Sequence, residues 1–577
     1  MSPVIATITP TTLLIAVAAL SSYTIYLWLL PKPIPGIPYN EEAGRIVMGD
    51  IPSLLESQKQ DISLWRWVAS QCEKLQSPII QLWLRPFSRP LVIVADFREA
   101  EDISMRRAKE FDRADSLDSI FGPIFPQFHM LMKTGDPLYK RQRKWLQDLM
   151  TPAFLHNVAA EPIYQNVLKV VELWEHKARL AEQRPFEAFE DIYYGALDAV
   201  LSFSFGGSFA YTAVPARLEM ISSLPDIEKP TSANYPVIFP EEPRNEFVEA
   251  VLTLAESVEE ARRAVFPKIR SWYMHRTSRI KEAKRIRDQF INHEIDVAVR
   301  RLEADEPVTS AVEHMIHREQ LFAEKEGRIP AYKSIGMHSE VFGFLMAGHE
   351  TSATTFGWGL KFLTDNQNAQ RNLRGQLHKY LSTVVAEKRQ PTCEEITRTS
   401  IPYLDATLEE ILRCAGTTSV TDRQALQNTT ILGHHIPKDT NVVMVTIGES
   451  IMKPEFEIPE SKRTKSALDV ANRIRTWKAS PYPVTEFRPE RWLVSAKDGS
   501  DETVFDATAG PQMAFGLGPR ACFGRRLAYL ELRMFTALLI WNFEFLPCPS
   551  ELSSYSGYDG LTVKPRQCYV RLSKASL

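Results

Sequence analysis

The chain has 577 residues, 44% hydrophobic and 24% charged, with a formal net charge of −3. That composition excludes a low-complexity chain, supplies material for a large core, and argues against a nucleic-acid partner. The six cysteines (Cys72, Cys393, Cys414, Cys522, Cys548 and Cys568) are scattered, and no Cys-x-x-Cys occurs, so neither a disulfide framework nor a zinc site is supported and a reducing compartment fits.

No charged side chain precedes Lys32. Residues 11–30 are mostly apolar and would span about 30 Å as a helix, enough to cross a bilayer core. Tyr23, Tyr26 and Trp28 cluster near the end of this stretch, as at a membrane interface. A cleaved signal peptide needs a basic leading region, which is missing, so 1–30 reads as a retained anchor. Lys32 follows the span, which puts the bulk of the chain on the cytosolic side. Pro31, Pro33, Pro35 and Pro38 make 31–40 a stiff, extended hinge.

Residues 79–84 and 91–95 are short apolar runs and predict a β-hairpin. Residues 112–129 form a loop rich in phenylalanine (Phe121, Phe125, Phe128). Residues 135–154 read as a basic helix, and 189–206 and 245–302 as further helices. The apolar stretch between the last two, Tyr235-Pro236-Val237-Ile238-Phe239-Pro240, is no long helix. Residues 339–363 predict an apolar helix with an odd centre, Ala347-Gly348-His349-Glu350-Thr351. Glycine in a helix interior costs about 1 kcal/mol against alanine, and a buried acid is expensive; either Glu350 is exposed and Gly348 a packing contact, or the pair serves a ligand site. Gly348 would remove bulk where a ligand approaches, with the Glu350 acid and the Thr351 hydroxyl beside that space. Residues 402–414 predict a short helix on which Glu410 and Arg413 share a face. Residues 453–476 are long and mixed in charge, the composition of a surface insertion, either folded or without fixed structure.

Near the C-terminus, Cys522 sits in a glycine-rich turn (Gly516, Gly518, Pro519, Gly524) that runs into a helix from Arg525. Backbone N–H groups and the positive end of that helix should lower the thiol's pKa, making Cys522 a thiolate and a good soft ligand. Phe515 would cover the sulfur, and Arg520 would pair with a carboxylate of whatever the sulfur binds.

The pattern Phe515-x-x-Gly518-x-Arg520-x-Cys522-x-Gly524 closely resembles the heme-binding loop of the cytochrome P450 family. Ala347-Gly348-His349-Glu350-Thr351 resembles that family's oxygen-activation motif, Ala-Gly-x-Asp/Glu-Thr. Glu410-x-x-Arg413, followed by Phe487-Arg488-Pro489-Glu490-Arg491-Trp492, resembles its buried ion triad. The family has Trp-x-x-x-Arg where this chain has Tyr139-x-x-x-Arg143, a departure at the first position. The hinge resembles the proline-rich connector of microsomal members.

The resemblance implies a cytochrome P450 fold, mainly α with a small β part, preceded by one N-terminal transmembrane helix. It implies one heme-thiolate monooxygenase domain over 41–577 rather than the four domains that length alone would suggest. Heme b would lie between helix 339–363 and the Cys522 loop, with Cys522 as axial ligand. Phe515, Gly516, Gly524 and Ala347 would lie against it, and Arg143, Arg423, Arg520 and Tyr139 would hold its propionates. Thr351 and Glu350 would order water and deliver protons, whereas Glu410, Arg413 and Arg491 would serve folding and heme retention. The loop 112–129 would lie over the substrate. The segment near Tyr235 would form the chamber roof and dip into the membrane, with a packed surface loop as the alternative.

No flavin or dinucleotide fingerprint is present, so electrons would come from an NADPH-dependent flavoprotein reductase, docked on Lys140, Lys144, Arg525 and Arg526. The substrate would be a lipophilic small molecule, contacted near Phe121, Phe344 and Leu345, with O2 and membrane lipid as further partners. The look is that of filamentous-fungal members, many of which tailor secondary metabolites, and implies an endoplasmic-reticulum membrane. Two other classes stay open: a reductase-independent heme-thiolate isomerase or dehydratase, and a non-catalytic heme protein.

Overall fold

The computed structural model describes residues 10–474, 476–496 and 502–576. Its first element, the helix Pro10–Leu29, has no buried residue and is apolar enough to cross a membrane. The hinge beyond it is not a free spacer. Ile34 and Ile37 are buried, and the Gln81 side chain both accepts from Ile34 N (2.8 Å) and donates to the Ile34 and Ile37 carbonyls (2.9 and 2.8 Å). Gln81 N also donates to Pro38 O at 2.9 Å. The proline-rich stretch thus adds a rung to the sheet edge.

That sheet has five strands in the order Ile79–Leu82, Leu91–Val94, Asn441–Val445, Val420–Ala425, Phe111–Asp112. The expected hairpin forms in antiparallel register, Ile79 opposite Val94, and only the second and third strands run parallel. Side chains alternate faces along a strand, so Val92 and Val94 enter one apolar cluster and Ile93 the other. The sheet is therefore covered on both sides.

The larger core is helical and centres on Ile335–Asp365, which is capped by Ser334 accepting from Met337 N. Glycines let neighbours press against this helix. A Cβ at Gly343 would stand 2.4 Å from Phe128, and one at Gly348 2.8 Å from Val200 of the helix Phe189–Phe205. Gly348 is thus a close-packing contact between helices as well as a residue of the cavity wall described below. The helix Arg525–Asn542 follows the cysteine loop and buries Leu527, Leu530 and Phe535.

Three expectations are corrected or decided by the structure. The helical stretch 245–302 is three helices, Glu246–Arg263, Pro267–Met274 and Ser278–Glu303, broken before Pro267 and at Thr277, which caps the third. The segment near Tyr235 is a packed surface loop rather than a chamber roof: Val237 N donates to Pro185 O at 2.8 Å, and Phe239 stacks edge-on against Phe186. Residues 453–476, of which Arg475 lies outside the described residues, are structured. Arg463 forms a two-pronged, buried ion pair with Asp96 (2.7 and 3.1 Å), and Thr464 and Ser466 both donate to Asp102. Of the charges that suggested disorder, Lys453, Glu460 and Arg463 pair with Glu73, Arg98 and Asp96, far away in sequence.

Candidate active site

The cysteine loop is shaped by two left-handed glycines, Gly516 (φ +63°) and Gly518 (φ +71°). A side chain at Gly518 would also collide with the Ser104 carbonyl, 2.0 Å from its Cβ. Cys522 N donates to Phe515 O at 2.8 Å, which folds the loop back on itself.

Cys522 opens on a cavity of about 820 Å³. It is accessible from that cavity, yet protein encloses it. Burial pushes its thiol above the ordinary range, against the Gly524 N–H, the Arg525 guanidinium and the Arg525 N–H. Burial thus opposes the expected thiolate, while the helix end and Arg525 favour it.

The cavity wall takes one face of the long helix. Phe344, Ala347, Gly348, Thr351 and Thr355 recur at helical spacing along it. Thr351 Oγ1 donates to Ala347 O at 2.7 Å, and its oxygen retains acceptor capacity toward the cavity. Glu350 is one residue off this face and does not line the cavity. It is fully buried, accepting from Thr562 N and Oγ1 at 3.2 and 3.0 Å. Sequence adjacency to Thr351 suggested a shared space; the 100° step per helical residue separates the two side chains.

Phe515, Gly516, Arg520, Gly524, Tyr139, Arg143, Ala347 and Arg423 all line the cavity with Cys522. Of the phenylalanine loop, Phe121 and Phe128 line it, whereas Phe125 is buried and stacked on Phe342. Phe344 lines it and Leu345 is core. Tyr139 provides a platform, with the Arg520 guanidinium 4.7 Å above its ring. Arg143 stacks likewise on Phe523 at 4.5 Å.

Two wall residues escaped the sequence reading. Arg113 was hidden beside the phenylalanine loop, where a lone arginine gives no signal. His129 is fixed through Nδ1 to the buried Glu340 at 2.7 Å, a partner 211 positions away.

The cations are short of anions. Arg423 Nη2, Arg520 Nη1 and Arg113 Nε are buried without acceptors. Burial, then Arg113, with Arg520 further down, push the Arg423 guanidinium down to about 10, against the pull of Asp422. Burial and Arg113 likewise lower Arg520. Unpaired N–H groups from several arginines, above a sulfur in a large cavity, fit a flat ligand carrying more than one carboxylate and a metal for the sulfur.

The cytochrome P450 family model matches residues 65–461 and 483–571. The chain belongs to the cytochrome P450 family. The gap in the match, 462–482, falls largely within the stretch read as an insertion. This P450 is 38% identical to the cytochrome P450 monooxygenase TRI13 of Fusarium sporotrichioides, over 97% of this chain and 98% of the relative. It is 35% identical to the monooxygenase xilC of Penicillium rubens over 96% and 94%, and 34% identical to the monooxygenase GME11363 of Pestalotiopsis microspora over 95% of each. It is a P450 monooxygenase by family, of mainly helical fold. The family binds heme through a cysteine thiolate and works on small molecules with O2 and a redox partner.

Proposed function

We propose that this P450 inserts one oxygen atom of O2 into a lipophilic small molecule, as a tailoring step of fungal secondary metabolism. The observation that carries the reading is the Cys522 sulfur facing a cavity ringed by arginines with unpaired N–H groups. The fungal relatives, all named monooxygenases, support the setting.

Heme b, when bound, supplies the oxidising chemistry, and an axial thiolate favours O–O cleavage. Cys522 would ligate the iron, with Phe515 beside the sulfur. Arg113, Arg143, Arg423 and Arg520 would hold the propionates, Tyr139 orienting Arg520 from below. Phe121, Phe128 and Phe344 would exclude water and select an apolar substrate. The Thr351 hydroxyl would hold a water at the helix face, and Glu350 would supply that water's proton.

Electrons would arrive from an NADPH-dependent flavoprotein reductase. Lys140, Lys144, Arg525 and Arg526 are exposed, and none has a carboxylate partner among the ion pairs of the described residues. The helix Pro10–Leu29 would anchor the protein in the endoplasmic reticulum, with the body, 41–577, in the cytosol as one catalytic domain. A second membrane contact would be the short helix Pro267–Met274, whose Ile269, Trp272 and Tyr273 are 65%, 58% and 61% exposed. It follows Val265, a residue of the cavity wall, so an apolar substrate would enter from the lipid.

The test is the carbon monoxide difference spectrum of the reduced protein, wild type beside Cys522→Ser. A strongly red-shifted Soret band in wild type alone is expected. A folded, heme-loaded wild type without it overturns the mechanism. Product formation that needs neither NADPH nor O2 would instead favour an isomerase or dehydratase.

A further inference from the structure

A second cavity, about 640 Å³, lies between the helices Phe189–Phe205 and Glu246–Arg263 and the C-terminal strands. Its wall includes Glu187, Glu190, Glu256, Glu259, Tyr193 and Lys564. The strand Val563–Pro565 borders both cavities, as does Arg263, and its alternation divides them: Val563 lines the large cavity and Lys564 the acidic one. The Lys564 ammonium donates to Glu259 Oε1 at 3.0 Å and lies 3.4 Å from Glu350 Oε1. Glu350 Oε2 is buried and has no hydrogen-bond partner. A chain of charge thus leads from the acidic cleft through Glu259 and Lys564 to Glu350, the neighbour of Thr351 in sequence.

We propose that this cleft is the water and proton inlet of the reaction, and that Lys564 is the positioning residue that holds the Glu350 carboxylate on the cleft side. The proposal rests on the monooxygenase reading. Each turnover of that reaction takes up two electrons from the reductase and two protons, and the second oxygen atom of O2 leaves as water. Glu350 passes a proton forward to a water at Thr351 and regains one from water in the cleft. Lys564 keeps the donor pointed at its supply between transfers.

The groups facing Glu350 are few. Lys564 comes from the strand, Glu259 and Arg262 from the helix Glu246–Arg263, and Tyr193 from Phe189–Phe205. On its own helix, His349 is buried, bonded to Tyr193, and kept neutral, pushed down to about 4 by burial. Burial raises the Glu350 carboxyl, Lys564 lowers it, and Glu259 raises it. Removing Lys564 takes away the main opposing charge.

The test uses the full-length, heme-loaded protein. Infrared difference spectra during a pH titration give the protonated-carboxyl band that Glu350→Gln removes. In Lys564→Met the midpoint of that band should rise by about 1 to 3 pH units. Lys564→Arg should restore it, which general loosening of the fold would not do. Reconstituted with reductase, Lys564→Met should consume NADPH with a larger solvent isotope effect in D2O than wild type. An unmoved midpoint or an unchanged isotope effect overturns the inlet. Should Lys564→Met not fold, Glu259→Gln carries the same measurement, with the Glu350 midpoint expected to fall. A wild type that lacks NADPH- and O2-dependent turnover defeats the monooxygenase reading instead, a result distinct from a wild type that turns over beside an indifferent Lys564→Met.

Discussion

Glu410 lies fully buried at the centre of five N–H donors. Arg413 gives two bonds (2.8 and 2.7 Å), Arg491 Nε one at 3.0 Å, Arg488 N one at 2.7 Å, and Trp492 Nε1 one at 2.9 Å. Burial alone would push the carboxyl up, but Arg413, then Arg491 and the Arg488 N–H, bring it below its ordinary value. Glu410→Gln is the informative perturbation. It keeps the shape, removes the charge, and turns an NH2 toward donors that need an acceptor. Two buried guanidinium groups are left without a counter-ion. Breaking a buried pair in this way costs about 3–5 kcal/mol, or roughly 150- to 5,000-fold in the folded/unfolded ratio. A whole domain is stable by only about 5–15 kcal/mol, so the variant should stand close to unfolding. Urea titration of the detergent-solubilised protein, read by tryptophan fluorescence and by the Soret band, measures the loss. Glu394→Gln is the control, because its pair with Arg398 is about two-thirds exposed on both sides, and its midpoint should not move. A Glu410→Gln loss below about 1 kcal/mol would refute the reasoning, because the network would then have another source of compensation.

Glu531 is buried, held by Ser352 Oγ at 2.5 Å, and burial pushes its carboxyl up to about 8 from 4.5. The folded state therefore keeps a proton that the unfolded chain loses, and stability should fall as pH rises from about 4.5 to 8, by at most roughly 5 kcal/mol. Glu531→Gln should flatten that decline in melting curves taken across the range; parallel curves would count against it. Gly518→Ala should yield no heme-binding protein, given the 2.0 Å approach to Ser104 O and the φ of +71°. Gly375→Ala, in the helix Gln367–Tyr380 with nothing within 4 Å of its Cβ, should stabilise by about 0.5–1 kcal/mol. Reduction by the flavoprotein should slow as salt rises, and Lys140→Glu with Lys144→Glu should slow it further at low salt; indifference to ionic strength removes that docking face.

The cysteine loop was legible because its glycines answer a backbone requirement that shows in the sequence itself. The hairpin was legible as two short apolar runs split by a turn-like segment, and the long helix as an extended apolar stretch. Glu410, Arg413 and Arg491 were placed together only by resemblance, since a Glu and an Arg three apart look like any surface pair. What the sequence hid was set by distant partners. Glu350 faces away from Thr351 because Thr562 and Lys564, more than two hundred positions on, offer the bonds. Residues 453–476 look free until Asp96 and Asp102 are seen to bind Arg463, Thr464 and Ser466. Gly348 lines the cavity, but its contact with Val200 of another helix could not be read from the sequence. Arg113 carries no local mark at all.

The bond between the Gln81 side chain and the backbone at Ile34 and Ile37 makes the base of the mast part of the hull. Only a few residues separate the helix Pro10–Leu29, apolar enough to cross a membrane, from the sheet-bound Ile34, so little free tether lies between the two. A soluble version therefore has a natural cutting point. Trimming the chain through Leu30 leaves the sheet edge whole, whereas trimming past Ile34 strips two buried isoleucines and leaves a buried amide with nothing to hold.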